Sequence, residues 1–317
     1  MAVKKVLFPI DPYNSGSEIE SNILNCLENL SKEMEIELLP IHAMDEGFQS
    51  TSHYFGPIDL VSFKNHLQED CEKYMKKFSQ FTYHPVEIVE NFFGSQSAGV
   101  SLICQQIERL GAQLVILSSH GRSGWDRFVL GSFAENMMLQ CRIPLLVVGL
   151  NYKKTDSFSR ALMPVELGEA SQKFLVDFLD AHELEFMKEL KLYHKITMVD
   201  VEDIAWAPSL YSISGTHPND LLNEAQKTAE KTLQAYMAHP LSQKRLSWEV
   251  SKDLGPVSEA ITKRTQYPDI DFLIMKSEAG YLISSLFGSA TREVIRDSVV
   301  PVLVYPHQCE LPRIQSA

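Results

Sequence analysis

The chain has 317 residues, which exceeds the usual length of one domain and predicts two domains of roughly 150 residues each. Hydrophobic residues make up 44% and charged residues 22%, which is typical of globular proteins and excludes disordered, collagenous and coiled-coil chains. The formal net charge of −12 argues against nucleic acid or an anionic membrane as the main partner, because both require a basic surface.

The length of the apolar runs and the spacing of the cysteines indicate the cellular compartment of the protein. No apolar run reaches about 18 residues, and the residues after Met1 pass directly into a strand pattern instead of a signal-peptide core. We therefore expect a cytoplasmic protein that does not enter a membrane. The five cysteines form no CxxC unit, and Cys71 and Cys104 are the closest pair in sequence. This spacing favours buried, reduced thiols over a zinc site or a redox role.

The first half of the chain alternates short apolar runs with helical periodicity, which is the pattern of βαβ units in a parallel sheet. Apolar residues that recur every three or four positions predict one face of a first helix: Ile19, Ile23, Leu27, Leu30 and Met34. The same spacing predicts a second helix from Leu60 to Phe78. Further helices are predicted at about 97–110 and after Gly131, with strands at 3–10, 37–43, 86–89, 114–117 and 145–148.

The second half of the chain repeats the first. Gly131-Ser132 and Gly288-Ser289 are 157 residues apart, and Pro144 and Pro301 have the same separation. Strands of the second copy are predicted at 161–165, 190–196, 246–251, 271–275 and 302–305. We expect one domain at 1–150, a linker at 151–159, a second domain at 160–306 and a tail at 307–317.

The predicted connections place a candidate site in the first copy. Strands joined through helices run parallel with right-handed crossovers and form a doubly wound sheet. Such sheets bind ligands beyond the carboxyl ends of their strands, where the winding reverses. Here these ends carry Asp11, Ala43 and the segment 118–121. The free N–H groups of a helix that begins at Gly131-Ser132 favour a phosphate.

Local charge supports a phosphate in this region. His120, Arg122 and Arg127 are opposed only by Asp126 in the segment 118–132, so this stretch is basic on an acidic protein. Asp11 is placed to accept hydrogen bonds from ribose hydroxyls, and backbone groups around Ala43 to contact an adenine edge.

Several of these residues match the sequence signature of a known protein family. The run Ser118-x2-Gly121-x9-Gly131-Ser132 resembles the universal stress protein signature G-x2-G-x9-G-[S/T], with Ser118 in place of its first glycine, and Phe8-Pro9-Ile10-Asp11 resembles the first strand of that family. The resemblance implies two tandem doubly wound α/β domains of the adenine nucleotide alpha hydrolase-like (HUP) type, each a five-stranded parallel sheet flanked by four helices. It also implies ATP or another adenine nucleotide, with or without Mg²⁺, held in the first domain by Pro9, Ile10, Asp11, Ala43, Ser118, His120, Gly121, Arg122, Gly131, Ser132 and Phe133.

The second copy departs from this pattern. The offset of 157 places Met275 opposite Ser118, and Glu278 opposite Gly121, where a carboxylate repels phosphate. Asp11 is replaced by Glu166. We therefore expect no nucleotide binding of this kind in the second copy.

Several functions stay open on the sequence alone. The first is a nucleotide-binding regulator of stress responses, and the second is a scaffold that binds no nucleotide and acts through protein contacts. An enzyme, at most a slow ATP hydrolase, is disfavoured because no G-x-S-x-G or Walker motif fixes a catalytic group. His42 and His194 fall within strands and are expected to be buried and hydrogen-bonded.

Two further expectations concern contacts. The apolar final strands, 144–148 and 301–305, are predicted to pair with each other inside one chain, with or without a homodimer. The long connection 201–218 is predicted to be a lid, a partner-binding loop or exposed surface.

Overall fold

The structure is a computed structural model of the chain. It describes residues 3–13, 18–44, 60–91, 95–120, 130–180, 186–205, 218–236, 246–253, 255–277, 289–306 and 309. Contacts divide the chain into two compact units. The first contains the described residues of Met1–Ser157 and Lys276–Glu310, and the second contains those of Phe158–Met275. These units follow contacts and not the sequence repeat, so the domain boundaries near 150 and 160 stay a prediction.

The elements alternate between strand and helix through most of the described chain. The strands are β1 (Lys4–Pro9), β2 (Ile36–Met44), β3 (Thr82–Tyr83), β4 (Glu87–Glu90), β5 (Leu114–Ser118), β6 (Leu145–Val148), β7 (Arg160–Pro164), β8 (Glu189–Lys195), β9 (Leu246–Ser251), β10 (Phe272–Lys276) and β11 (Val302–Tyr305). The helices are α1 (Glu18–Glu33), α2 (Leu60–Met75), α3 (Gln96–Leu110), α4 (Ser132–Gln140), α5 (Glu169–Asp180), α6 (Met198–Ala205), α7 (Pro218–Tyr236), α8 (Val257–Arg264) and α9 (Ser289–Asp297).

Local sequence explains how the helices form and end. On α1, the buried residues Ile23, Leu27 and Leu30 are spaced by four and three positions and so share one face, which packs into the core. Helix α3 begins where the Ser95 side chain accepts a hydrogen bond of 3.2 Å from the main-chain N–H of Ala98. It ends at Gly111, whose φ of 66° lies in the left-handed region that favours glycine.

The sheet of the first unit has the order β3-β2-β1-β5-β6-β11, and β4 also pairs with β2. The pairs among β1, β2, β4, β5 and β6 are parallel, with Val6 opposite Leu114 where β1 meets β5. The chain moves from β1 to β2 on one side and later returns to place β5 on the other side. The winding therefore reverses between β1 and β5, where doubly wound sheets bind ligands.

Strands β6 and β11 pair in antiparallel register within the first unit. Val302 lies opposite Val147, and Val304 lies opposite Leu145. All residues of both strands are buried. The pairing of these two final strands that the sequence predicts is therefore present.

The second unit contains a parallel sheet with the order β10-β7-β8-β9. The Phe158 and Phe272 rings stack in its core at a centroid distance of 4.3 Å. Both units are mostly parallel α/β sheets covered by helices, so the predicted fold class is confirmed.

Two details of the sequence-based prediction need correction. A short strand, β3, was not expected, because Thr82 and Tyr83 are both exposed and two residues carry no periodicity. The segment expected to be an open connection after Val201 is helical as far as Ala205, within α6, and Thr197 starts this helix by donating its main-chain N–H to the Asp200 carboxylate at 2.6 Å. The rest of that connection, 206–217, lies outside the described residues.

Candidate functional site

A pocket of about 620 Å³ lies in the first unit at the carboxyl ends of β1, β2 and β5. Every predicted site residue that the structure describes lines this one pocket: Pro9, Ile10, Asp11, Ala43, Ser118, His120, Gly131, Ser132 and Phe133. Gly121 and Arg122 lie outside the described residues. The pocket is thus located where the winding of the sheet reverses.

Main-chain hydrogen bonds hold the end of β1 at the pocket. The N–H of Ile10 donates to the carbonyl oxygen of Ile41 at 2.8 Å, which continues the pairing with β2 past the last residue of β1. The next residue, Asp11, accepts a hydrogen bond of 3.2 Å from the main-chain N–H of Tyr13 through Oδ1. The Asp11 carboxylate is therefore held in a short turn at the edge of the pocket.

His42 has a structural role in this region. It is 7% exposed, and its Nδ1 lies 2.9 Å from the carbonyl oxygen of Ile10. The second unit repeats the arrangement, since His194 is buried and its Nδ1 lies 3.0 Å from the carbonyl oxygen of Val165. The expectation that these two histidines are buried and hydrogen-bonded is confirmed.

A turn stabilised by Ser118 follows β5. The Ser118 hydroxyl donates to the carbonyl oxygen of His120 at 2.9 Å and accepts from the main-chain N–H of His120 at 3.1 Å. The Ser119 hydroxyl lies 2.8 Å from Nδ1 of His120. The serine that replaces the first signature glycine thus bonds to its own turn, so its side chain organises the pocket wall.

The start of α4 faces the same pocket. The main-chain N–H of Gly131 donates to the carbonyl oxygen of Ser119 at 2.8 Å, which joins this helix to the end of β5. No side chain in the described part of the chain caps α4. The Ser132 hydroxyl donates to Oε1 of Gln96 at the start of α3. The uncapped amide groups and the helix dipole make this edge of the pocket suitable for an anion.

The region after β4 and helix α3 contribute a wall of the pocket that was not predicted from the sequence. Asn91 follows β4 and donates a hydrogen bond from Nδ2 to the carbonyl oxygen of Ser95 at 3.0 Å. A Cβ placed on Gly99 would lie 3.3 Å from that Nδ2 atom and 3.6 Å from the Ala43 side chain, so glycine allows α3 to pack closely against β2. The position of Asn91 two residues after the strand predicted at 86–89 was the available signal.

The described lining of the pocket carries negative charge. It contains the carboxylates of Asp11 and Glu20, and it contains no lysine or arginine. Burial raises the pKa of Tyr74 well above its ordinary value, with smaller contributions from Glu20 and Asp11. Lys77 balances part of this charge through an ion pair of 2.9 Å with Glu20. The arginines expected to face a phosphate, Arg122 and Arg127, lie outside the described residues.

The described part of the chain holds neither a metal cluster nor a membrane-spanning helix. Within it, no three His, Cys, Asp or Glu side chains are grouped closely enough to hold a metal ion. Across the same residues, none of the helices combines the length and apolar character needed to cross a bilayer.

The second copy aligns with the first differently from the sequence-based expectation. Ser119 donates its main-chain N–H to the carbonyl oxygen of Val148, and Ser277 donates in the same way to Tyr305. Val148 and Tyr305 are 157 residues apart, whereas Ser119 and Ser277 are 158 apart. Lys276 therefore corresponds to Ser118, and the placement of Met275 at that position was wrong.

The same shift moves the following residues of the second copy. Ser277 corresponds to Ser119 instead of His120, so Glu278 aligns with His120 instead of Gly121. The cause is loop length, because thirteen residues (119–131) separate β5 from α4, and twelve (277–288) separate β10 from α9. Glu278 and Gly288 themselves lie outside the described residues.

The comparison with known families agrees with this geometry. A model described as the universal stress protein family matches residues 2–149 and 189–306. The chain belongs to the universal stress protein family. The two matched segments are what a tandem member of the family is expected to give.

Individual relatives align with about half of this universal stress protein or with nearly all of it. Universal stress protein MJ0531 of Methanocaldococcus jannaschii is 25% identical over 146 residues, which cover 46% of this chain and 81% of the relative. A universal stress protein from Archaeoglobus fulgidus has a crystal structure that covers 97% of this chain and 96% of its own, with a TM-score of 0.57 and 18% identity. A functionally unknown protein from Pseudomonas aeruginosa covers 96% of this chain and 92% of its own, with a TM-score of 0.55 and 13% identity. The structural likenesses support the fold.

Proposed function

We propose that this universal stress protein is a cytoplasmic regulator of stress responses that binds ATP or a related adenine nucleotide in the pocket of its first unit. One observation carries the proposal. Strand ends from β1, β2 and β5 and the uncapped start of α4 line a single pocket of about 620 Å³, a volume within the usual range of small-molecule sites. The pocket also lies at the reversal point of a doubly wound sheet.

In the proposed complex, a separate group of the pocket contacts each part of the nucleotide. Asp11 accepts hydrogen bonds from the ribose hydroxyls, and the main chain around Ala43 contacts the adenine edge. The apolar wall of α3, which includes Val100 and Ile103, packs against the base. The phosphates lie at Gly131 and Ser132, where the amide groups of α4 donate hydrogen bonds.

We propose that Mg²⁺ binds only together with the nucleotide. Mg²⁺ is usually bound through substrate phosphates plus one or two carboxylates, instead of a complete protein cage.

A scaffold that binds no nucleotide is the second candidate, and the charge of the pocket favours it. The described lining holds two carboxylates without lysine or arginine, which opposes a polyphosphate unless Arg122 faces the site. Binding measurements with adenosine and with ATP distinguish these two candidates. A pocket that binds adenosine but not ATP lacks a phosphate site, and a scaffold binds neither.

Calorimetric titration of nucleotide-free protein with ATP tests the proposal, and Gly131→Glu is the decisive variant. A carboxylate at the start of α4 occupies the phosphate position and repels it, so binding is expected to be lost. Gly168→Glu is the matched control, because Gly168 precedes α5 in the second unit and a Cβ there meets no atom within 4 Å. Absence of ATP binding by the wild type, or equal binding by wild type and Gly131→Glu, overturns the proposed site.

A further inference from the structure

Strands β2 and β8 end in the same way in the two units. In the first unit, the main-chain N–H of Ile10 donates to the carbonyl oxygen of Ile41 on β2 at 2.8 Å. In the second unit, the main-chain N–H of Val165 donates to the carbonyl oxygen of Tyr193 on β8 at 2.9 Å. A buried histidine follows Ile41 and another follows Tyr193, and their Nδ1 atoms contact the carbonyl oxygens of Ile10 and Val165 respectively. The two strand ends therefore correspond residue by residue.

This correspondence places Lys195 of the second unit where the first unit has Ala43. Lys195 replaces the methyl group of Ala43 with a four-carbon stem that ends in an ammonium group. The lysine is 9% exposed, and its Nζ donates to the carbonyl oxygen of Ile196, the residue directly after β8, at 3.1 Å. The side chain therefore stays inside the second unit at the carboxyl end of β8 and does not extend into solvent.

The helix that follows β9 also carries a larger residue than its counterpart in the first unit. The buried residues of α3 at 99, 100 and 103 have the same spacing as those of α8 at 260, 261 and 264. Gly99 of the first unit therefore corresponds to Ala260 of the second. Gly99 lines the pocket, and a Cβ placed on it would lie 3.6 Å from the Cβ of Ala43. Both small residues at this place are thus replaced by larger ones in the second unit.

We propose that the Lys195 side chain occupies in the second unit the place that the nucleotide base takes in the first unit, and thereby closes the second unit to adenosine and its phosphates. The inference rests on the proposed function, because that function places the base beside Ala43. A base needs an open and mostly apolar slot. A buried lysine fills such a slot and adds a charge that an uncharged base does not neutralise. The two units therefore differ at the base subsite itself, independently of any contact with phosphate.

The test exchanges the residues at the two positions and uses adenosine as the probe, because adenosine has no phosphate and reports only on the base and ribose subsites. Native mass spectrometry at saturating adenosine counts the ligands on each chain. The wild type should bind one adenosine, Lys195→Ala two, Ala43→Lys none and the double variant one. Glu166 remains in Lys195→Ala to accept hydrogen bonds from the ribose. Circular dichroism establishes that each variant is folded.

Lys191→Ala is the matched control for Lys195→Ala. Lys191 lies four residues earlier on β8, so the alternation of a strand places the two lysines on the same face. It lies opposite Leu162 near the start of the strand, and its Nζ donates to the Asp269 carboxylate at 2.7 Å. Because Lys191 is far from the carboxyl end of β8, its removal should leave the count at one adenosine per chain.

The counts separate the failure of this inference from the failure of the proposed function. A folded Lys195→Ala variant that binds no more adenosine than the wild type overturns the inference, and so does a folded Ala43→Lys variant that binds as much as the wild type. If one single variant does not fold, the other decides. If the wild type binds no adenosine, the proposed function fails. A gain of one adenosine in Lys195→Ala then still supports the inference, and no gain overturns it as well.

Discussion

The main-chain N–H of Gly131 donates a hydrogen bond of 2.8 Å to the carbonyl oxygen of Ser119. This bond joins the start of α4 to the turn that follows β5, and Ser119 is itself bonded through its N–H to Val148 of β6 at 2.9 Å. The helix terminus and two neighbouring strands therefore form one connected wall. That wall places the start of α4 beside the strand ends that carry Asp11 and His120.

Asp11→Ala is expected to weaken ATP binding without unfolding the chain. Loss of hydrogen bonds from ribose hydroxyls to a charged carboxylate should reduce affinity by roughly tenfold to hundredfold. Glu166→Ala is the matched control, because Glu166 occupies the corresponding place in the second copy and should leave affinity unchanged. Titration calorimetry measures both. Equal losses in the two variants would show that the ribose site has been misplaced.

Gly111→Ala is expected to destabilise the first unit by about 1 kcal/mol, because an L-residue is strained in the left-handed conformation at φ 66° that ends α3. Gly168→Ala serves as control, since a Cβ there has no close neighbour. Its free energy of unfolding should stay within about 0.5 kcal/mol of the wild type. Urea denaturation checks both values, and an unaffected Gly111→Ala variant would contradict the assigned helix end.

Asp271→Ala is expected to cost about 3 kcal/mol of unfolding free energy in the second unit. The Asp271 side chain is 0% exposed and accepts hydrogen bonds from the main-chain N–H groups of Ser159 and Arg160 and from the Arg160 guanidinium, the last at 2.7 Å. Its removal leaves these donors without their acceptor. Lys263→Ala, in an exposed ion pair, should change stability by less than about 0.5 kcal/mol. Comparable losses from both variants would argue against this network.

Acid is expected to destabilise the second unit partly through Asp269. The Arg264 guanidinium holds the pKa of the Asp269 carboxyl well below its ordinary value, with desolvation opposing and Lys191 assisting. Because the folded pKa is the lower one, the stabilisation is present above the unfolded pKa of about 4 and is lost as the pH falls below it. Asp269→Asn should therefore lower Tm at pH 7 and show a smaller acid-induced drop. Identical pH profiles of Tm would refute this assignment.

Sequence patterns predicted the elements that have strong periodicity. Strands β6 and β11 match their predicted bounds because each is a short apolar run that follows a proline. Strand β9 also matches, because its apolar residues Leu246, Trp248 and Val250 alternate with polar ones. Asp11, Ser118 and Gly131 come together because parallel strands joined through helices have their carboxyl ends at one edge of the sheet. This relationship depends on topology, and topology follows from the order of the elements.

Features that depend on how closely the elements pack could not be predicted from the sequence. Asn91 and Gln96 line the pocket, yet amide side chains in loops and at helix starts form no motif. The equivalence of Lys276 and Ser118 was missed because one residue is absent from the loop in the second copy, and only the hydrogen bond of Ser277 to Tyr305 reveals the shift.

Native mass spectrometry of nucleotide-free protein with a modest excess of ATP is the decisive test of nucleotide binding by the first unit, because it counts ligands per chain. We expect a single bound ATP, held by the first unit, and loss of that adduct in Gly131→Glu but not in Gly168→Glu. A chain that carries no ATP, or one that carries two, would contradict it.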